Sequence, residues 1–237
     1  MKQKLDLEEI KQKLFEKLEP SGWGQVLKSF IFSGDFDNII TELAKLSSED
    51  QRFTPGLKDA FRAFIECPYK DLKVVFIGQD PYPQFGVADG ISFSCGHTKQ
   101  LQPSLRFILD EVNRTVYNGN PGSTDPDLTR WANQGILMLN TALTTTVGKI
   151  GQHYTIWHPF TTYLFDYLNN KQTGLVYVYL GKQAINWSDD VGESNYKLFA
   201  SHPASAAYQK QRCWDSQDVF KKTSEIIAAN HNYKIIW

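Results

Sequence analysis

The chain is poor in cysteine. Cys67, Cys95 and Cys213 are scattered and odd in number. They offer neither a disulfide framework nor the paired spacing of a zinc site, and they suit a reducing compartment. No apolar run is long enough to cross a bilayer, and the charged start from Met1 to Glu9 lacks a hydrophobic signal segment. The expected location is therefore intracellular and cytoplasmic. No sign of charge is in excess: 25 Lys and Arg against 26 Asp and Glu leave −1, so any nucleic-acid role must rest on a local patch. Nucleotide and metal signatures are missing too. Gly181-Lys182 is followed by Gln183, which excludes a phosphate-binding Gly-Lys-Ser/Thr loop. No Gly-x-Gly-x-x-Gly follows a strand-like run, and no His-Glu-x-x-His occurs. A site without metal or cofactor is the expectation.

What is present is a globular composition. The 237 residues suit one sizeable domain, and 41% apolar content supports a real core. Aromatics reach 14%, enough both for packing and for base-stacking platforms. Leu5, Leu7, Ile10, Leu14 and Leu18 predict an amphipathic helix over 4–18, which Gly22-Trp23-Gly24 breaks. A second helix is expected over 37–47 and a third over 57–65. These helices form a preamble, with 1–52 as a helical extension packed on a core domain of 53–237. From residue 73 the pattern alternates. Strands are expected at 73–78, 135–140, 174–181 and 196–201. Helices are expected at 104–117, 159–170 and 215–229, with another starting near Thr124-Asp125-Pro126-Asp127. Strands separated by helices imply crossovers. The expected fold is α/β, a single domain with a central four-stranded parallel sheet flanked by helices.

Parallel strands end at one edge, and the residues just past each strand converge there. The first strand runs into Gly78-Gln79-Asp80-Pro81-Tyr82, and the second ends in Asn140-Thr141. The third ends in Gly181-Lys182 and the fourth in Ser201-His202-Pro203. A carboxylate, an amide, a lysine and an imidazole are thus expected together, without a nucleophilic Ser or Cys. Singly, Asp80 could initiate a turn, Asn140 could end a strand and His202 could sit in a turn.

Taken jointly, these stretches resemble family 1 uracil-DNA glycosylases. Gly78-Gln79-Asp80-Pro81-Tyr82 resembles the family's water-activating motif, and Gly90-Ile91-Ser92-Phe93-Ser94 its segment with the uracil-stacking Phe. Gln102-Pro103-Ser104-Leu105 is similar to a remnant of its proline-rich loop. Trp131 to Asn140 is similar to its helix–strand unit ending in the uracil-reading Asn, and His202-Pro203-Ala204-Ser205 to its DNA-intercalation loop. The resemblance spans roughly residues 53 to 229. It implies removal of uracil from DNA by base flipping. Asp80 would orient water and stabilise the sugar cation, and His202 would stabilise the uracil anion. Phe93 would stack on the base, Asn140 would read its polar edge, Tyr82 would exclude a C5 methyl group, and Gln79 would contribute backbone contacts. Pro103, Ser104, Lys182, Ser205, Ala206 and Tyr208 would meet DNA.

The chain departs from the family pattern at four places. Pro83 stands where a His usually follows the Tyr, and Lys182 replaces a phosphate-contacting Ser. The loop after His202-Pro203 has Ala204 and Ala207 for two serines and Ala206 for a wedge Leu, and the proline-rich loop is reduced to Pro103. An Ala cannot fill the gap left by a flipped base. Weaker action on duplex DNA, with single strands favoured, is therefore expected; the alternative is that Tyr208 supplies the wedge instead. The alternatives are a uracil-DNA binder without turnover and a glycosylase for another modified base. A monomer is expected, and the resemblance implies a small acidic DNA-mimic inhibitor protein as a partner.

Overall fold

The computed structural model describes residues 6–209 and 213–237. The chain opens with helices α1 (Leu7–Leu18), α2 (Trp23–Ile31) and α3 (Gly34–Ser48). A short strand β1 (Phe53–Thr54) comes next, then helices α4 (Leu57–Ala60) and α5 (Arg62–Glu66) and strand β2 (Val74–Gly78). Helices α6 (Pro103–Thr115) and α7 (Thr129–Ala132) lead to strands β3 (Ile136–Asn140) and β4 (Thr145–Thr146). After these come α8 (Tyr154–Lys171), β5 (Val176–Leu180), α9 (Lys182–Ile185), β6 (Tyr196–Ala200), α10 (Ala204–Tyr208) and α11 (Val219–His231).

The main sheet has the order β3-β2-β5-β6 and is parallel throughout, as the alternating pattern predicts. β2, β3 and β5 are apolar and buried because helices cover both faces, while edge strand β6 is partly open to solvent. Phe76 stacks on Phe220 of α11 with ring centroids 5.5 Å apart. Phe76 is in register with Val178, so the adjacent Tyr177 points to the opposite face, where it stacks on Phe165 of α8 at 5.9 Å. β1 and β4 form a separate antiparallel pair, Phe53 opposite Thr146.

Three local expectations need correction. Gly22 does take a left-handed conformation (φ 81°) that ends the first helical segment, but Trp23 starts α2 at once. The Gly-Trp-Gly stretch is a corner between helices, anchored because the Trp23 indole N–H donates to the Cys67 carbonyl at 2.7 Å. The expected helix over 57–65 is split at Phe61 into α4 and α5. The helix expected from Thr124 begins only at Thr129, because Asp127 turns its carboxylate onto the Thr129 N–H and hydroxyl. The first three helices join the main packing: Phe30 of α2 meets Phe160 of α8 at 5.4 Å, and the Tyr163 hydroxyl donates to the Val26 carbonyl at 2.8 Å.

Candidate active site

The C-terminal edge of the sheet carries a cavity of about 440 Å³. Its lining includes Gln79, Asp80, Pro81 and Tyr82 from the end of β2, Asn140 from the end of β3 and His202 after β6. Phe93, Pro103, Ser104 and Ser205 line it too. A larger hollow of about 690 Å³ lies between α3 and the start of α8, but no end of a main-sheet strand opens into it.

The two glycines that end strands make the convergence possible. A Cβ on Gly78 would sit 2.6 Å from Asn140 Oδ1 and 3.2 Å from Phe93 Cε2. Gly181 has φ 92°, and a Cβ there would lie 2.8 Å from His202 Cβ. Removing side chains at these two points lets an amide, an aromatic ring and an imidazole close in on the strand ends.

Asp80 is largely withdrawn from solvent. Its Oδ2 accepts the Gly151 N–H at 2.7 Å, and its Oδ1 accepts the Tyr154 hydroxyl at 3.4 Å. Burial pushes its pKa upward, while the Gly151 N–H, Tyr154, Gln79 and Thr145 pull it back. Both oxygens face donors, the pattern that favours the ionised form. Tyr154 is held above the usual tyrosine range by burial and then by the Asp80 charge, so it remains a donor.

His202 is the opposite case. Burial lowers its pKa to about 4, which leaves the ring neutral at pH 7. Its Nδ1 accepts the Ala204 N–H at 3.1 Å. A neutral ring with an acceptor at Nδ1 carries its proton on Nε2. The site therefore holds one hydrogen-bond acceptor with negative charge and one neutral N–H donor.

Phe93 has φ 63°, a region that costs a bulky residue about 1–2 kcal/mol. Its surroundings impose that conformation. The Ser92 N–H donates to the Met138 carbonyl at 3.0 Å, and the Tyr82 hydroxyl donates to the Phe93 carbonyl at 3.0 Å. Behind the segment, fully buried Asp89 accepts from the Ile91 N–H, the Ser94 hydroxyl and the Gly96 N–H and pairs with Arg62 at 3.0 Å. Strain held by this many bonds marks the ring as placed. It lies 5.6 Å from the His202 ring. The half-buried Asn140 side-chain amide has no hydrogen-bond partner among the described residues, so it is available to a ligand. The carbonyl of Gln79 is taken by the Thr141 hydroxyl and the Ala142 N–H, which ties the β2 and β3 ends together.

The outer residues are less uniform. Ser205 lines the cavity, its N–H bonded to the His202 carbonyl. Exposed Lys182 starts α9 and is not among the cavity-lining residues. Ala206 is fully buried and so presents no surface to a ligand, contrary to its expected place in a DNA-contacting loop. The cause is α10, which turns this side chain inward. The Tyr208 side chain, expected as a substitute wedge, lies outside the described part of the structure. Gly151 and Tyr154 were not foreseen in the sequence. They lie 71 and 74 residues beyond Asp80, and one acts through its backbone.

Fold and cavity define an open parallel-sheet protein whose strand ends gather an acidic group, a neutral imidazole, a free amide and a stacking ring. The sequence model of the uracil DNA glycosylase superfamily matches residues 64–227. A uracil-DNA glycosylase of Acinetobacter baumannii (strain SDF) is 31% identical over 236 residues, covering 98% of each chain. Uracil-DNA glycosylase 1 of Listeria innocua is 34% identical, covering 91% of this chain and 96% of the relative. Among solved structures, the mimivirus uracil-DNA glycosylase superposes with a TM-score of 0.81 at 25% identity, over 94% of this chain and 88% of that one. Its Y322L variant in complex with UGI gives 0.80 at 26% identity, over 91% and 87%. The chain belongs to the uracil-DNA glycosylase superfamily, a family of DNA-repair hydrolases.

Proposed function

We propose that this enzyme hydrolyses the N-glycosidic bond of deoxyuridine in DNA, releasing uracil and leaving an abasic site. The observation that carries the reading is the single cavity in which Asp80, Tyr82, Phe93, Asn140 and His202 meet. The target nucleotide is flipped into it, which costs a few kcal/mol of unstacking, least on a single strand. Phe93 stacks on the ring, and the free Asn140 amide pairs with the uracil edge. Cytosine presents the wrong donors and would leave that amide unpaired, at a cost of about 1–3 kcal/mol. Tyr82 occupies the space a thymine methyl would need.

As the bond from C1′ to the base nitrogen breaks, its electron pair leaves with uracil. The neutral His202 Nε2–H donates to the uracil oxygen where that charge develops. The Asp80 carboxylate faces the positive sugar and orients the water; as the water oxygen bonds to C1′, its proton passes to the carboxylate and from there to solvent, which restores the ionised Asp80. Both groups act electrostatically, where charge appears. The anionic leaving group needs no second acid, unlike the alkoxide of a sugar glycoside. Single-stranded DNA is the favoured substrate, since buried Ala206 supplies no wedge for a duplex. An acidic DNA-mimic protein would compete for the same mouth.

The test is release of free uracil from a labelled oligonucleotide by the wild type and by Asp80→Asn. Release by the wild type, with a loss of orders of magnitude in the variant, is expected. Binding without release by the wild type would replace catalysis with recognition. Equal release by both would remove Asp80 from the reaction.

A further inference from the structure

Beside the cavity mouth is a patch that the proposed reaction does not use. Phe85 is 68% exposed and Ile150 53%, both unusually high for large apolar side chains. Ile150 lines the cavity itself, and Phe85 directly follows Pro83 and Gln84, which also line it. Three chain segments are tied together here. The Gly148 N–H donates to the Pro83 carbonyl at 2.8 Å, and the Val147 N–H donates to the Arg52 carbonyl at 2.8 Å. The β1–β4 pair, Phe53 opposite Thr146, fixes the base of the rim. The Arg52 guanidinium lies over the Phe85 ring, 5.8 Å from its centroid. That contact backs the aromatic ring with a cation while the ring stays mostly open to solvent. Exposed Lys149 adds a second cation next to Ile150.

An exposed ring backed by a cation, with a second cation adjacent, is the combination that holds single-stranded nucleic acid: bases stack on the ring while the cations attend the phosphates. The patch adjoins the cavity mouth through Pro83, Gln84 and Ile150, so a strand with one base in the cavity passes over it. A base in a duplex is already stacked and paired, whereas a neighbour of the extruded base on a single strand is free to use the platform. We infer that Phe85, with Arg52 behind it and Ile150 beside it, forms a subsite for the nucleobase adjoining the one in the cavity, on single-stranded DNA. This rests on the reading of the cavity as a uracil site. It supplies the hold on the strand that the inward-turned Ala206 does not.

Single-stranded oligonucleotides carrying one deoxyuridine test it, with the base on either side kept or replaced by a baseless spacer. For the wild type, kcat/KM should fall about tenfold when the base on the rim side is removed, the size expected for one lost stacking contact. Phe85→Ala should lose that dependence and keep its rate on the spacer substrate, while Phe85→Trp should retain the dependence. Indifference of the wild type to both flanking bases, or an unchanged dependence in Phe85→Ala, overturns the subsite and leaves the uracil reading intact. If the wild type releases no uracil at all, the uracil reading fails separately. The subsite is then decided by a 2-aminopurine placed beside the deoxyuridine. Quenching on binding that disappears in Phe85→Ala supports it, and equal or absent quenching overturns it.

Discussion

A methyl group added at Gly78 tests the geometry of the site most directly. Gly78 ends β2 and is not among the glycines with positive φ, so alanine suits its backbone. The obstacle is space alone. The new Cβ would lie 2.6 Å from Asn140 Oδ1, 3.2 Å from Phe93 Cε2 and 3.3 Å from Ser92 Cβ. Favourable non-bonded separations begin near about 3.5 Å, so the amide must retreat by roughly half an ångström to an ångström. The ring must yield a few tenths of an ångström, yet its carbonyl is held by the Tyr82 hydroxyl. Overpacking of this kind costs about 1–3 kcal/mol of stability. Misplacing a recognition group by about an ångström costs up to roughly 100-fold in rate. Gly78→Ala should therefore fold, melt a few degrees lower, and lose about 10- to 100-fold in kcat/KM for uracil release. In the double variant with Asn140→Ala the clash with the amide is gone. Its stability should recover towards that of Asn140→Ala alone, a coupling that chemical denaturation reads as a non-additive free energy. Wild-type kcat/KM in Gly78→Ala would refute the reasoning, since the amide would then not be where recognition needs it.

Two further outcomes concern the polar groups. Tyr154→Phe removes one hydrogen bond to Asp80 while keeping the ring; kcat should fall by about fivefold, the worth of a weak charge-assisted bond. Because the Tyr154 hydroxyl lowers the Asp80 pKa, the acid limb of the pH–rate profile should move to higher pH, and a limb that stays put would count against the contact. His153 is almost fully buried between the Thr144 and Thr146 hydroxyls, and burial lowers its pKa from 6.5 to about 4. Below pH 6.5 the unfolded chain takes up a proton that the folded chain refuses. Stability is thus full above about pH 6.5 and falls as pH drops towards about 4, by up to about 1.4 kcal/mol per pH unit for this group. Denaturation curves should show a shallower decline over that window for His153→Gln than for the wild type; parallel declines would sink this assignment.

The parallel sheet was legible because its strands are short apolar runs bounded by turn residues, and crossovers fix their direction. That also made the edge legible: Asp80, Asn140 and His202 each sit at or just past a strand end, so topology alone brings them together. The surroundings of Asp80 were not legible. The Gly151 contact is made by a backbone N–H, which every loop residue but proline possesses. Tyr154 at the start of α8 looks like any aromatic on a helix. The start of α2 was hidden because Gly22 and Gly24 flank Trp23, and glycines signal a break whether or not a new helix begins at once. The inward orientation of Ala206 was hidden because alanine carries no preference for either side of a short helix.

Positions that match the family pattern and positions that depart from it differ in what holds them. Asp80 and Asn140 sit just beyond and at the end of buried strands β2 and β3, and His202 follows β6, whose ladder to buried β5 fixes its place. Lys182 sits exposed on the short helix α9, where substitution disturbs little beyond the local surface, whereas Ala206 on α10 is fully buried and a larger side chain there would have to displace its neighbours. Pro83 lies between these cases. Its carbonyl accepts the Gly148 N–H, and the same loop continues to Gly151 and Tyr154, the two groups bonded to Asp80. A proline here removes an imidazole that the family usually has, but its carbonyl still anchors the segment that orients the carboxylate. In the proposed reaction the polar support for Asp80 comes from Gly151 and from Tyr154 at the start of α8. In the proposed subsite the grip on the strand would come from the rim around Phe85, since Ala206 is buried. On the proposed reading, the groups that act on uracil line a cavity at the strand ends, and the groups that would hold the rest of the strand lie on its exposed rim.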